Sequence, residues 1–311
     1  MKWSQFGALS KENILWLLKQ FCGLAEGLRH VHNLSGANTY SFATSLAPSL
    51  PEIRKSGWHH DLKPENILFF KSMEYGRGTF QISDFGSGKI YTYRSDSDKT
   101  QSLNGTLTYE PPEARLEGLT SRPYDIWSLG CVFLELLIWA VVDTESVEEF
   151  ASQRVGRRYS DSRIDIVIDD AFWQMAEDGK ATLRGSVDCW IGILKARISQ
   201  QRPRPFKEVL ELVIQMLDPN RRTRIMALRL SDALDDIYKQ SKIDLSKSDL
   251  AEYGRLCGPI ARPFVNSTKS YFPNPRLDTS PLSPSTTGYA NESYFTASPA
   301  KNFSSRYPTG Q

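Results

Sequence analysis

A mainly α-helical fold carrying one small β-hairpin is what this sequence predicts, and three patterns predict it. Apolar residues recur at three- and four-residue steps over long stretches, as on one face of an amphipathic helix. The runs 124–142, 168–177, 186–199, 205–217 and 226–240 all read this way, with Pro203, Pro205 and Pro219 as breaks. Two short apolar runs have strand length: Asn66-Ile-Leu-Phe-Phe and Thr79-Phe-Gln-Ile-Ser. Gly76 and Gly78 lie between them, as the turn of a hairpin requires.

The chain opens with a further helix. Ser10 is placed to cap it, and Ile14, Leu18, Phe21, Ala25, Leu28 and His32 keep the helical period. Asn33 to Gly36 stop it. Residues 33–57 are rich in Ser, Ala, Pro and Thr and read as an insertion loop on the surface, where added length costs little closure entropy. Residues 258–311 hold 8 of the 17 prolines but only two acids, and they show neither helical nor strand periodicity. Such a segment cannot build a packed core and reads as a disordered Ser/Thr/Pro-rich tail. The domain expectation is therefore a folded part over 1–257 and a tail over 258–311.

Composition narrows the function classes. With 38 basic and 36 acidic residues among 311, the formal charge is only +2. A nucleic-acid coat or a polybasic membrane binder needs a concentrated positive field, so neither nucleic acid nor membrane is expected as a partner. Cys22, Cys131, Cys189 and Cys257 form no Cys-x-x-Cys pair, which argues against a zinc ribbon and for a reducing, cytoplasmic or nuclear location. The longest apolar run, Leu129 to Val142, contains Glu135 and suits a buried core helix better than a membrane span.

Four separated motifs carry chemistry. His59-His60-Asp61-Leu62-Lys63-Pro64-Glu65-Asn66 brings a carboxylate, an ammonium and an amide within one short loop. Asp84-Phe85-Gly86 follows beyond the hairpin. Thr106 to Glu113 reads Thr-Leu-Thr-Tyr-Glu-Pro-Pro-Glu, and Asp125-Ile-Trp-Ser-Leu-Gly130 opens the apolar helix. In order and spacing this set resembles the C-terminal lobe of a eukaryotic Ser/Thr protein kinase over roughly residues 8–240. Each motif alone is a modest signal, and the agreement of four in order is a strong one.

The resemblance implies a kinase-like large lobe using ATP and Mg²⁺ on a protein substrate. Asp61 would accept the proton of a substrate hydroxyl, and Lys63 would offset charge on the moving phosphoryl group. Asn66 and Asp84 would be the nucleotide-side oxygen ligands for Mg²⁺. Lys63 marks Ser/Thr specificity in the family, with Thr106 bonding near Asp61 and Lys63 in the substrate platform. Asp125 corresponds to a buried carboxylate that accepts backbone donors of the catalytic loop, and His59 to a position packed against the backbone. Glu113 corresponds to an acid paired with a late arginine, placed by the pattern at Arg222.

Other readings of these residues carry less weight. His32, His59 and His60 lack the His-x-x-x-His spacing of a helical metal site. Gly86-Ser-Gly88-Lys89 lacks the spacing of a phosphate loop. Three departures from the family stand out. No Gly-x-Gly-x-x-Gly and no Val-Ala-Ile-Lys-like strand precede residue 59, so the N-terminal β lobe is not expected in this chain. Without the upper wall of the nucleotide cleft, the 311 residues alone are expected to be weak or inactive. Two explanations fit: an incomplete copy of a full kinase, or a short protein that keeps the lobe as an inactive interaction module. His60 stands where the family often has an arginine that grips an activation-segment phosphate, and imidazole lacks the guanidinium fork. The insertion over 33–57 is the third departure.

Overall fold

The computed structural model describes residues 10–34, 55–71, 78–92, 106–159, 166–201 and 204–247. All of them belong to one unit spanning Met1–Ile260, and the tail expected over 258–311 lies outside the described residues. The fold is mainly helical, with strands only in two-stranded antiparallel pairs among the described residues.

Helix α1 (Lys11–His32) starts where Ser10 accepts a hydrogen bond from the Asn13 amide at 3.2 Å. It buries Ile14, Leu17, Leu18, Phe21, Leu24, Ala25, Leu28 and His32, which form one continuous face. The terminal helix α7 (Ala227–Lys247) packs along α1. At the centre lies α3 (Arg122–Val141), whose Pro123 sits in the first turn, where no amide partner is needed. Helix α3 has the length and hydropathy to cross a bilayer, yet every residue from Tyr124 to Val141 is buried. A helix apolar on all sides needs neighbours on all sides. Here α4 (Thr144–Arg154), α5 (Gly185–Gln201) and α6 (Arg204–Met216) supply them. A Cβ on Gly130 would come within 2.8 Å of the Met216 Cβ, so glycine permits the close crossing of α3 and α6.

The expected hairpin is present: β2 (Ile67–Phe70) pairs antiparallel with β3 (Thr79–Ile82). Gln20 Oε1 accepts from the Phe80 amide and the Trp16 indole donates to Gly78 O, which seats the hairpin on α1. Residues 35–54 of the expected insertion lie outside the described residues. Its last residues are strand rather than loop, because β1 (Lys55–Trp58) pairs with β4 (Lys89–Thr92).

The largest correction concerns 168–177. In place of a helix the chain forms two strand pairs: β5 (Gly156–Tyr159) with β6 (Ile166–Asp169), and β7 (Trp173–Met175) with β8 (Ala181–Leu183). The spacing of Ile168, Ala171, Phe172 and Met175 imitates a helix. The β-branched run Ile166-Val-Ile and the turn at Gly179, whose φ is 78°, decide for strands.

Candidate active site

The catalytic loop is built around one buried carboxylate. Asp125, in the first turn of α3, is fully buried. It accepts the backbone N–H groups of His59 and His60, each at 2.8 Å, and lies 2.9 Å from His32 Nε2 at the end of α1. These contacts hold His60 at φ 70°, a left-handed conformation that costs a non-glycine residue about 1–2 kcal/mol. The His60 ring is itself buried, its centroid 4.4 Å from that of Tyr124.

His59 joins this loop to the Asp84 turn. Its Nδ1 accepts from the Asp61 amide at 3.3 Å, so Nε2 carries the proton that reaches Ser83 O at 2.8 Å. Ser83 in turn donates to Asn66 O through both its amide and its hydroxyl, at 2.8 and 2.9 Å. Phe85 packs edge-on against the His59 ring. Both chain neighbours of Asp84 thus touch His59, which anchors the turn against the catalytic loop. Asp84 takes φ 60°, and its Oδ1 accepts from the Gly86 amide at 3.2 Å. Its side chain is otherwise open to solvent.

Around Asp61 four donors converge. Lys63 Nζ lies 2.9 Å from Oδ2, and Asn66 Nδ2 lies 3.1 Å from the same oxygen. The Thr106 hydroxyl and amide reach Oδ1 at 3.1 and 3.3 Å. Lys63 also donates to Thr106 Oγ1 at 2.8 Å, so Lys63, Thr106 and Asp61 form a closed triangle. Burial works to raise the Asp61 carboxyl, but the Lys63 ammonium and the Thr106 donors outweigh it and hold the group below the usual carboxylate range. It is therefore ionised at neutral pH. Asn66 spends its Nδ2 on Asp61, including the backbone oxygen at 2.8 Å, which turns its amide oxygen the other way.

Thr106 leads into a 3-10 turn over Leu107–Tyr109 and then into α2 (Pro112–Glu117), which Gly118 ends at φ 65°. Glu113 in α2 does form a buried ion pair, but with Arg224 rather than the expected Arg222. Arg224 grips both Glu113 oxygens, at 2.6 and 3.0 Å, and also donates to Pro123 O and Asp218 O. Arg222 is exposed, and its amide donates to Asn220 Oδ1 at 3.1 Å. The turn at Asp218-Pro-Asn-Arg-Arg222 closes through Asn220, Thr223 and Asp218, and this delays the inward-pointing arginine by two residues.

Of the residues singled out in the sequence, Asp61, Lys63, Asn66 and Thr106 meet in direct contact. Asp125 and His59 hold the backbone around them, Asp84 is tethered through its neighbours, and Glu113 is paired. His32, Ser83 and Arg224 were missed. His32 offered one signal, a polar side chain in the register of the buried face of α1.

The donor set suits a hard divalent cation beside phosphate. Asp84 offers an exposed carboxylate and Asn66 an amide oxygen directed away from Asp61. Leu68, Phe69 and Phe70 in β2, and Phe85 beside Asp84, leave apolar surface open, each about half exposed.

Comparison with known proteins bears on the family. The protein kinase domain family matches residues 6–234. The 3-phosphoinositide-dependent protein kinase 1 of Homo sapiens is 30% identical over 115 residues, which is 37% of this chain and 20% of that protein. The cyclin-dependent kinase 4 of Mus musculus is 40% identical over 78 residues, 25% of this chain and 23% of that protein. The matching segments thus span about a fifth to a quarter of these relatives' own length. A match over most of the chain settles the family: the chain belongs to the protein kinase domain family.

Proposed function

We propose that this chain carries the acceptor- and metal-binding half of a Ser/Thr protein kinase centre. The reaction is transfer of the ATP γ-phosphoryl group to a Ser or Thr hydroxyl of a protein. The observation that carries this reading is the closed triangle of Asp61, Lys63 and Thr106.

Each residue acts through its geometry. Asp61, ionised at neutral pH, accepts the proton of the acceptor hydroxyl. A carboxylate offers about four lone-pair sites, and all are engaged here, so the hydroxyl displaces the longest contact, the Thr106 amide at 3.3 Å. Lys63 keeps its ammonium beside the path of the phosphoryl group through Asp61 and Thr106. Asn66 and Asp84 hold Mg²⁺ through their side-chain oxygens. Mg²⁺, when bound with ATP, neutralises phosphate charge. The Lys63 contact with Thr106 supports Ser/Thr rather than Tyr specificity, following the family pattern.

No Gly-x-Gly-x-x-Gly precedes residue 59 in this sequence, so transfer by these 311 residues alone should be weak or absent. The test uses the purified chain with radiolabelled ATP, Mg²⁺ and mixed Ser/Thr and Tyr peptides, together with a melting scan. Mg²⁺–ATP should raise the melting temperature. Any label should fall on Ser or Thr and vanish in Asp61→Asn. Label on Tyr, label that survives in Asp61→Asn, or a melting temperature indifferent to Mg²⁺–ATP would overturn the reading.

A further inference from the structure

The β5–β8 segment grips the turn that follows Thr106. The Thr108 hydroxyl lies 2.8 Å from both carboxylate oxygens of Asp170. The backbone oxygen of Asp170 accepts from Arg154 Nε at 3.3 Å. Arg154 lies 3.2 Å from Glu135, and Glu135 accepts from the Tyr109 hydroxyl at 3.2 Å. Thr108, Asp170, Arg154, Glu135 and Tyr109 therefore close a ring that begins and ends on neighbouring residues of one turn. Arg154 is fixed within it by the rings of Phe150 and Phe172, each 4.2 Å from its guanidinium carbon. Trp173 adds an indole bond to Glu110 O at 3.0 Å.

Two residues upstream of Thr108, Thr106 makes its contacts with Asp61 and Lys63. Inside the turn only the Tyr109 and Glu110 amides bond back, to Thr106 O and Leu107 O at 3.0 and 3.4 Å. A single 3-10 turn with such bonds holds its own shape weakly. Its position relative to Asp61 is held from outside: Ser128 Oγ donates to Tyr109 O at 2.8 Å, Arg115 to Leu107 O at 3.4 Å and Trp173 to Glu110 O, while Asp170 alone among these takes the side chain at its centre, Thr108.

We propose that Asp170 is a positioning residue for the 106–110 turn, holding Thr106 in register with Asp61 and Lys63 through Thr108. This rests on the reading of that turn as the platform on which the acceptor is presented. It gives the β5–β8 segment a role in acceptor placement.

The test is hydrogen–deuterium exchange on the full chain, comparing wild type with Asp170→Ala, Asp170→Asn, Thr108→Val and the double variant Thr108→Val/Asp170→Ala. Asp170→Ala and Thr108→Val should each speed exchange of the 106–110 amides roughly tenfold, equivalent to about 1.4 kcal/mol of local stability, and leave α1 and α7 unchanged. Asp170→Asn keeps an acceptor for the Thr108 hydroxyl and should restore slow exchange. The double variant should exchange no faster than either single one, because both remove the same bond. Unchanged exchange at 106–110, equal acceleration in α1 and α7, or no rescue by Asp170→Asn would overturn the proposal. The readout needs no catalysis and no nucleotide, so a melting temperature indifferent to Mg²⁺–ATP would count against the kinase reading and leave this one standing.

Discussion

Replacing Arg224 with methionine should be among the most destabilising single changes available in this chain. The Arg224 and Glu113 side chains are 0% and 2% exposed, so neither charge has water to fall back on. Arg224 also satisfies the carbonyls of Pro123 and Asp218, and its guanidinium lies 5.1 Å from the Trp127 ring centre. Methionine fills similar volume but leaves Glu113 buried without its partner. Removing one member of a buried pair costs about 3–5 kcal/mol. At about 2–4 °C per kcal/mol for a domain of this size, the melting temperature should fall by roughly 6–20 °C. The internal control is Arg222→Ala, which touches only an exposed side chain and should stay within about 0.5 kcal/mol of wild type. Adding Glu113→Gln to Arg224→Met should recover part of the loss, since the buried charge is then gone. Urea unfolding of the four proteins measures all of this. A loss under about 1 kcal/mol for Arg224→Met, or an equal loss for Arg222→Ala, would refute the assignment of the pair.

Three other outcomes follow from the geometry. Asp125→Ala strips the buried amides of His59 and His60 of their acceptor, and at about 1–3 kcal/mol for each orphaned donor it should cost roughly 2–6 kcal/mol. Wild-type exchange rates at residues 59–61 in that variant would contradict it. Glu135 is pushed up by burial, against the pull of Arg154 and Tyr109, from 4.5 to about 7, with Glu65 and Cys131 also facing it. A raised acid binds its proton more tightly when folded, so the stability it contributes is complete below pH 4.5 and is lost as pH rises through about 7. Glu135→Gln should flatten that part of the stability–pH curve, and an unchanged slope would count against it. His60 is only 6% exposed and packs on Tyr124, which leaves it unable to grip a phosphate on the activation segment. Phosphatase treatment should therefore change any transfer rate by less than about twofold, and a tenfold drop would contradict this.

Local chemistry was the part of the molecule most legible in the sequence. The helical period of α1 and α3 and the hairpin of β2 and β3 depend on neighbours within a few residues, and they were readable. The loop of Asp61, Lys63 and Asn66 was readable through the resemblance of its motif to the kinase family, and its contacts span five residues or fewer. What escaped depends on distant partners. His32 meets Asp125 across 93 residues, and Arg224 meets Glu113 across 111. Which of two nearby arginines points inward depends on the turn built by Asp218 and Asn220, not on the spacing of charges. The 168–177 stretch was misread because Ala171, Phe172 and Trp173 are all buried, and a short continuous apolar run fits strand and helix alike. The ring through Asp170 could not be read at all, since it joins four separate elements by side chains that are individually unremarkable in sequence.

Asn66 and Asp84 are proposed to hold a magnesium–nucleotide complex beside Asp61 and Lys63. Calorimetric titration of ATP into the chain, with Mg²⁺ and with EDTA, tests it most directly when repeated on Asp84→Asn and on Asp178→Asn, an exposed control. Binding should require Mg²⁺, weaken at least tenfold (about 1.4 kcal/mol) in Asp84→Asn and stay unchanged in Asp178→Asn. Equal affinity in wild type and Asp84→Asn, or equal affinity in EDTA, would contradict it.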